Sequence, residues 1–280
     1  MMKKHNKILA ILLTAGIAYG AYVFSQLQIF VPARIQAEMP LQNEFKANGT
    51  ECFTGSNAVL FLDQKRFRML TWNIHKGADA GWQPDLARFS QGQDLVLLQE
   101  AAHEQVIAGL PATLLVSGFA YQDQLFGVKT FARFVPQTYC GFAQREPWIR
   151  VPKAVGAMTF PLKNGSELLV INVHLINFEW RPTNYRRQLE QVFTLIRKHQ
   201  GAVILAGDFN AWNAQRKQII DEFAMAAGLQ EVRFSPDERV RFLAHPLDYV
   251  FVRGLKVISA KTEKVHSSDH APLWVEVELD

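Results

Sequence analysis

The sequence predicts an α/β domain over residues 65–280, and three observations lead to this fold class. Short apolar runs recur along this region, as in strands that are covered on both faces. Amphipathic helical patterns alternate with these runs, and no long polar gap separates off a second domain. The chain has 280 residues, of which 49% are hydrophobic and 20% charged, so it can bury a large core.

The elements of this domain can be placed in order along the sequence. The predicted strands are the apolar runs at residues 69–72, 95–99, 168–173, 203–206, 247–252, 255–260 and 272–279. Residues 183–199 carry apolar side chains at helical spacing and predict an amphipathic helix. Asn213 can cap a second helix, which Gly228 is placed to close.

Residues 1–31 predict an N-terminal signal-anchor or transmembrane helix. Three lysines precede an uncharged stretch that begins at Ile8. Its length lies between that of a spanning helix, about 20 apolar residues, and that of a cleaved signal, about 7–15. The lysines should hold the N-terminus in the cytoplasm, which predicts a bacterial inner-membrane protein whose domain faces the periplasm. The alternatives are a cleaved export signal ending near Ala18-Tyr19-Gly20, a buried amphipathic first helix, and cytoplasmic placement.

The region between this segment and the domain, residues 32–64, is expected to be a linker or an irregular lead-in because Pro and Gly punctuate it. Cys52 and Cys140 are the only cysteines, and one disulfide between them is a hypothesis for an exported domain. The net charge of +4 suits a polyanionic substrate or a membrane surface. An ordinary basic surface has the same balance, so charge alone does not select a partner.

Polar residues stand at the ends of several predicted strands, and they are the most informative feature of the chain. Open α/β sheets tend to collect their chemistry at strand ends. The set comprises two Asn, one Glu, two Asp and two His, namely Asn73, Glu100, His174, Asp208, Asn210, Asp269 and His270. Mg²⁺ prefers hard oxygen ligands from one or two carboxylates together with substrate phosphate. The set therefore predicts a hydrated divalent-metal phosphoesterase site.

Glu100 and His174 also have purely structural alternatives. Glu100 is a good first metal ligand after its strand, but it could instead cap a helix over residues 101–109. A lone His such as His174 is often a structural residue. Asp248 stands inside an apolar strand, where a charge needs a partner, and His270 is the candidate that would also gain an acceptor for its ring.

Six short motifs, taken together and in order, resemble the endonuclease/exonuclease/phosphatase superfamily, which includes DNase I-like nucleases and Mg²⁺-dependent sphingomyelinases. The resemblance covers about residues 66–280, and the whole segment is similar to the YafD-like bacterial subgroup. The motifs are Thr71-Trp72-Asn73-Ile74, Leu98-Gln99-Glu100, Val173-His174-Leu175, Gly207-Asp208-Phe209-Asn210, Leu247-Asp248-Tyr249 and Ser268-Asp269-His270.

The resemblance implies a four-layer α/β/β/α sandwich and in-line hydrolysis of a phosphate ester with Mg²⁺, or Mn²⁺ as the alternative ion. It implies that Glu100 and Asn73 hold the metal, with Asp269 beside them. Asp208 would orient or deprotonate the attacking water, and Asn210 would hold a phosphate oxygen. His270, paired with Asp248, would contact the phosphate or act as the base. His174 would stabilise the transition state or protonate the leaving group.

The candidates for substrate binding are Lys76, just after Asn73, and five basic residues in two stretches that flank the His174 strand, namely Arg145, Arg150, Lys153, Arg181 and Arg186. They predict contact with a nucleic-acid backbone, although a solvated helix face explains Arg186 equally well. A phospholipid or sugar phosphate is the alternative substrate, and a non-catalytic binding module is the third hypothesis. Trp180 and Trp212 are expected to pack in the core rather than to meet a base or a lipid. We expect a monomer.

Overall fold

Two β-sheets form the centre of the fold in a computed structural model, which describes residues 16, 20, 22–40, 45–47, 51–55 and 62–280. The three helices of the domain are α1 (Trp82–Phe89), α2 (Thr183–Lys198) and α3 (Ala214–Ala226), and a 3₁₀ turn spans His75–Gly77. The strands in chain order are β1 (Leu27–Glu38), β2 (Phe45–Ala47), β3 (Cys52–Gly55), β4 (Arg66–Asn73), β5 (Leu95–Ala102), β6 (Ala112–Tyr121), β7 (Gln124–Ala132), β8 (Thr138–Arg145), β9 (Pro152–Pro161), β10 (Glu167–His174), β11 (Ala202–Asp208), β12 (Gln230–Glu231), β13 (Arg241–Phe242), β14 (His245–Pro246), β15 (Asp248–Arg253), β16 (Leu255–Thr262) and β17 (Leu273–Leu279).

The strand order places the predicted catalytic strands at the middle of both sheets. One sheet has seven strands in the order β1-β6-β7-β5-β4-β17-β16, and the other has eight in the order β12-β15-β11-β10-β9-β8-β3-β2. The pairs β4–β5 and β10–β11 are parallel, whereas their other neighbours pair antiparallel. The carboxyl ends of β4, β5, β10 and β11 carry the polar motifs.

Side chains alternate between two apolar layers along each central strand. In β11, Ile204 and Ala206 face the other sheet, while Val203 and Leu205 pack with α2 and α3. The same alternation in β4 and β5 directs every second residue toward α1. Both faces of each sheet are therefore covered, which explains why the strands read as continuous apolar runs. The result is the predicted four-layer α/β/β/α sandwich.

The layer between the sheets changes from apolar to polar toward one end. Gln99 Nε2 donates across the gap to Asn172 Oδ1 at 2.7 Å and, within its own sheet, to Thr71 Oγ1 at 3.1 Å. Because side chains of one strand face alternate sides, Asn73 and His174 continue the same inward-facing series beyond this layer. The sheet geometry thus brings the polar strand ends together.

The predicted helices are confirmed with small changes at their ends. The helix expected at residues 183–199 is α2, and Asn213 caps α3 by accepting the backbone N–H of Arg216 at 2.9 Å. No helix forms over residues 101–109, where β5 continues to Ala102 and turns follow. Capping of a following helix is therefore the wrong explanation for Glu100.

The prediction of a linker or an irregular lead-in at residues 32–64 is wrong where this segment forms strands of the two sheets. β1 pairs with β6 at the edge of one sheet, and β3 pairs with β8 in the other. Ala33, Ile35 and Ala37 pack on the central core while polar residues between them face outward, so the segment has the period-two pattern of a strand. Pro32 is tolerated because it lies on an edge strand where the register is irregular.

Cys52 and Cys140 stand opposite each other on β3 and β8 and form the hypothesised disulfide. The predicted signal-anchor at residues 1–31 lies mainly outside the described residues, and its last part, from Leu27, belongs to β1. Among the residues that the structure describes, no helix has the length and apolarity needed to span a membrane.

Candidate active site

The carboxylate of Asp208, at the end of β11, is the centre of the polar cluster. Its Oδ2 atom lies 3.1 Å from Asn73 Nδ2, 3.3 Å from His174 Nε2, 3.4 Å from Asn210 Nδ2 and 3.9 Å from His270 Nε2. These four nitrogens come from both sheets, so one oxygen atom joins the two halves of the sandwich. Burial raises the pKa of Asp208 to about 6 against the opposing effect of His270.

Asn210 adopts the left-handed backbone conformation (φ +46°), which Asn tolerates better than most residues. The turn lets its backbone N–H donate to Asp208 Oδ1 at 2.8 Å. Its side-chain amide also donates to the carbonyl of Leu175 at 2.9 Å. The acid and the amide of this motif therefore hold each other in fixed orientations.

Asp248 and His270 form the pair that the sequence predicts, with 2.7 Å between Asp248 Oδ2 and His270 Nδ1. Both side chains are buried. Burial alone would lower the pKa of His270, but the carboxylates of Asp248 and Asp208 raise it to about 10. The imidazole is therefore positively charged at neutral pH, with Nε2 directed toward Asp208.

His174, at the end of β10, is in the opposite charge state. Lys153 Nζ donates a hydrogen bond to His174 Nε2 at 2.7 Å. Burial and the neighbouring Lys153 ammonium lower the pKa of His174 well below its usual value. The cluster thus contains one neutral and one charged imidazole, both next to the Asp208 carboxylate.

Glu100 projects from a kink in β5, where its backbone is left-handed (φ +52°) and the pairing with β7 shifts register. The kink opens its carboxylate toward solvent, where Lys76 donates a hydrogen bond to it and Lys153 Nζ lies 3.8 Å away. Burial works against ionisation, but His174, Lys153 and Lys76 outweigh it and lower the pKa of Glu100 to about 2. The group is a permanent anion at an accessible edge of the cluster.

The donor set around Glu100 fits a hard divalent cation. Its ionised carboxylate attracts two lysine ammonium groups, and the amide of Asn73 follows the adjacent, parallel strand. Asp208, Asp248 and His270 also place ligand atoms within 4.8 Å of one another. Those three are buried and already hydrogen-bonded to one another or to Asn73 and Asn210, so we favour Glu100 as the principal ligand.

The other predicted residues lie at different distances from this centre. Asp269 is more than half exposed, and its Oδ1 lies 3.8 Å from His75 Nδ1 on the turn that carries Lys76. Arg145, the last residue of β8, and Arg150, on the loop that follows, are exposed. The prediction that Arg186 binds substrate must be corrected. Arg186 pairs with Glu222 of α3 at 3.0 Å on the helical layer and is not brought to the site. Nearness to His174 in sequence did not place Arg186 in the site, because Arg186 lies on the exposed side of α2, whereas Tyr185 and Gln188 of the same helix contact the loops after β11 and β10.

Lys153 is the functional candidate that the motifs miss. Its neighbours Val155 and Ala157 face the helices, so strand alternation would direct Lys153 there as well. The last residue pair between β9 and β10 is Val155 with Val173, and Lys153 lies two residues beyond it. At this position its long side chain can bend toward the cluster and contact His174. The sequence signal is only a lysine at the start of an otherwise apolar strand.

Arg216 is a second residue that the motifs miss, and it lies fully buried beneath the site. Its guanidinium donates to the carbonyls of Ile176 at 2.6 Å, Asn210 at 2.8 Å, Asn177 at 2.7 Å and Glu179 at 3.2 Å. A planar group with several donors can satisfy many carbonyls at once. Arg216 therefore connects the loop after β11 with the loop after β10.

An anionic cluster with cationic and amide donors at one end of a two-sheet sandwich defines a phosphoester hydrolase. The profile of the Endonuclease/Exonuclease/phosphatase family matches residues 70–270, and the chain belongs to this family. A UPF0294 protein of Vibrio vulnificus (strain YJ016) is 39% identical over 234 residues, which are 81% of this chain and 82% of the relative.

Solved structures share the fold at low sequence identity. An endonuclease/exonuclease/phosphatase from Bacteroides vulgatus aligns with a TM-score of 0.59 and 18% identity, over 78% of this chain and 100% of that chain. The mannosyl-6-phosphatase Bt3783 of Bacteroides thetaiotaomicron aligns with a TM-score of 0.57 and 19% identity, over 75% of this chain and 99% of that chain.

Proposed function

We propose that the protein is a Mg²⁺-dependent phosphodiesterase that uses in-line attack by an activated water. The observation that carries this proposal is the position of Asp208 Oδ2 among nitrogens of Asn73, His174, Asn210 and His270. A carboxylate with a pKa of about 6 in such a cluster is suited to orient a water and to accept its proton near neutral pH. A non-catalytic role would leave this convergence without a reason.

The charged imidazole of His270 is suited to contact a non-bridging phosphate oxygen, because Asp248 holds it in place from behind. The Asn210 amide is placed to assist it. His174 would protonate the leaving oxygen, with the proton supplied by the Lys153 ammonium that donates to its Nε2, or the pair would stabilise charge on the phosphoryl group. Donors directed at developing charge in a buried site contribute a large part of such rate enhancements.

Glu100 would hold Mg²⁺ with Asn73, and Asp269 would reach it from the solvent side; Mn²⁺ is the alternative ion. When bound, the ion neutralises charge on the phosphate oxygens and helps to orient them. Lys76 is then free to contact phosphate, because nearly half of its side chain is exposed.

Nucleic acid is the substrate class that the sequence favours, but the exposed Arg145 and Arg150 can contact the phosphates of a nucleic acid or of an anionic phospholipid. Arg186 supports neither substrate, because it is paired on the helical layer. Phospholipids and sugar phosphates therefore belong in the same test. We further propose that the segment before β1 tethers the enzyme to the inner membrane with its domain in the periplasm, and the Cys52–Cys140 disulfide supports an oxidising compartment. The test is a C-terminal fusion to a reporter enzyme that works only in the cytoplasm. Activity of this reporter would contradict a periplasmic domain.

The catalytic proposal is tested with a panel of DNA, bis(p-nitrophenyl) phosphate, phospholipid and p-nitrophenyl phosphate, using the full chain with Mg²⁺ and with EDTA. We expect diester turnover with Mg²⁺ only, and its loss in Asp208→Asn and Glu100→Gln. Asp221→Asn and Glu222→Gln make the same chemical changes on the outer side of α3 and should leave turnover intact. Turnover in EDTA, or full activity of Asp208→Asn, would contradict the proposal.

A further inference from the structure

An apolar cavity of about 440 Å³ opens directly beside the phosphate site. Asn210, whose amide contacts Asp208, forms part of its wall. The other main lining residues are large and apolar, namely Trp148, Phe178, Trp180, Trp212, Phe242 and Leu247. Because the cavity and the phosphate site share Asn210, a group attached to a bound phosphate can extend into it.

The aromatic rings form a continuous series across the cavity. Ring centroids are separated by 5.6 Å between Trp148 and Trp180, 6.4 Å between Trp180 and Trp212, and 6.1 Å between Trp212 and Phe242. The expectation that Trp180 packs in the core is wrong, since 71% of its surface is exposed.

Two buried charged residues hold the loops of this cavity in place. Glu146 is fully buried and accepts the backbone N–H groups of Asn177 at 2.6 Å and Phe178 at 2.9 Å. Arg216, also fully buried, donates to the carbonyls of Asn177 and Glu179. The cavity is therefore a preformed site, whose shape is fixed by strong, charge-assisted hydrogen bonds.

Three loops around the cavity each expose apolar side chains to solvent. They do so at Trp148-Ile149, at Phe178 and Trp180, and at Phe242-Leu243. Leu243 is 85% exposed and has a left-handed backbone (φ +54°), in the turn between β13 and β14. Exposed apolar side chains gathered in one place mark a binding surface, because their burial would be favourable.

An arginine stands beside the apolar residue in each of the three loops. Arg150 follows Ile149, Arg181 follows Trp180, and Arg241 precedes Phe242. All three are exposed, although Arg241 is also paired with Asp237 at 2.6 Å. Aromatic and aliphatic side chains next to cations are typical of surfaces that dock on anionic lipid.

The cavity chemistry favours a lipid over a nucleic acid. Leu243 and Ile149 have no ring on which a base could stack, whereas acyl chains accept aliphatic and aromatic neighbours equally. Two of the lining polar groups already have protein partners: the Glu179 carboxylate accepts from the backbone of Asn184 and Tyr185, and Trp212 Nε1 donates to a backbone carbonyl. A base or sugar would find few free groups with which to form hydrogen bonds.

We propose that the three loops dock on an anionic phospholipid surface and that the cavity receives the apolar part of a phosphodiester lipid. The second half of this inference rests on the proposed function of the Asp208 site. Docking itself does not require turnover, so the two can be tested separately.

Tryptophan fluorescence provides the test, because all six tryptophans lie between residues 72 and 274 and none is in the N-terminal segment. The full chain is reconstituted in vesicles of phosphatidylethanolamine and phosphatidylglycerol, with or without bromine on the acyl chains, in EDTA. We expect bromine to quench the fluorescence. Leu243→Glu should lose most of this quenching, and replacing phosphatidylglycerol by phosphatidylcholine should weaken it.

Met225→Glu is the matched control, since Met225 is 80% exposed on α3, and it should be quenched like the wild type. The exposed position of Leu243 makes misfolding an implausible cause of its effect, and a thermal unfolding curve checks this. Quenching without turnover on the phosphoester panel would support docking and contradict the proposed function. Turnover of bis(p-nitrophenyl) phosphate without quenching, or oligonucleotide binding that Trp180→Ala abolishes in the absence of quenching, would overturn the docking proposal.

Discussion

Lys153 Nζ lies 2.7 Å from Nε2 of His174, so a strand that carries none of the predicted motifs supplies a cation to the catalytic cluster. The same ammonium is 3.8 Å from the carboxylate of Glu100. One lysine therefore stabilises the anion that would hold the metal and disfavours a second positive charge on His174. Its position assigns different protonation states to the two imidazoles of the site.

Replacing Lys153 should change the titration of His174. In Lys153→Met, loss of the adjacent positive charge is expected to raise the pKa of His174, as measured by NMR of the metal-free protein. Diester turnover should fall by about 100-fold, the scale seen when one transition-state donor is removed. Lys163→Met, at an exposed surface pair, is the control. An unchanged pKa of His174 would show that Lys153 does not set its charge state.

The pair of Asp248 and His270 should make stability depend on pH. The folded-state pKa of His270, about 10, exceeds its ordinary value of 6.5, so its contribution to stability is complete below pH 6.5 and is lost as pH rises through 10. Between these values the free energy of unfolding should decrease by up to about 1.4 kcal/mol per pH unit from this group.

Urea unfolding in EDTA across this pH range measures the effect, and Asp248→Asn should flatten the dependence. Asp221→Asn on the surface of α3 should retain the wild-type slope. If Asp248→Asn and the wild type decline in parallel, the pair does not hold the His270 proton.

The contact between Gln99 and Asn172 should be important for stability. Asn172 also donates to the carbonyl of Leu98 at 3.1 Å, so Asn172→Ala would leave several buried polar groups without partners. We expect a loss of about 1–3 kcal/mol in the free energy of unfolding, measured with urea. Gln218→Ala on α3 removes an exposed amide and should change stability by less than about 0.5 kcal/mol. Equal effects of the two substitutions would contradict a special role for this layer.

The disulfide between Cys52 and Cys140 should stabilise the edge of the eight-stranded sheet. It joins residues 88 positions apart, so it restricts a long loop in the unfolded chain. The double variant Cys52→Ala/Cys140→Ala should lose about 2–4 kcal/mol under oxidising conditions. Under reducing conditions the wild type should approach the variant, and a persistent difference would mean that the bridge is not its cause.

The central strands and most of the catalytic cluster could be predicted because alternation and strand ends leave a direct trace in sequence. Asn73, His174 and Asp208 each continue the inward-facing series of a buried strand. The Asp248–His270 pair followed from the need of a buried charge for a partner.

Other parts had no such trace. Lys153 reaches the cluster against the alternation of its own strand, and Arg186 lies outside it because its side chain is on the exposed side of α2. The strand character of β1 was hidden by Pro32, which an edge position tolerates. The aromatic cavity is assembled from four segments that are distant in sequence, and local patterns do not report which segments meet.

Arg216 binds the carbonyl of Asn210 with one terminal nitrogen and that of Asn177 with the other. The residue that holds the Asp208 carboxylate and the wall of the aromatic cavity are thus bound by the same guanidinium. Any drift of the wall must shift Asn210 as well. A change of substrate preference in this enzyme would therefore have to proceed through side chains at the rim, since the supporting backbone cannot be remodelled without disturbing catalysis.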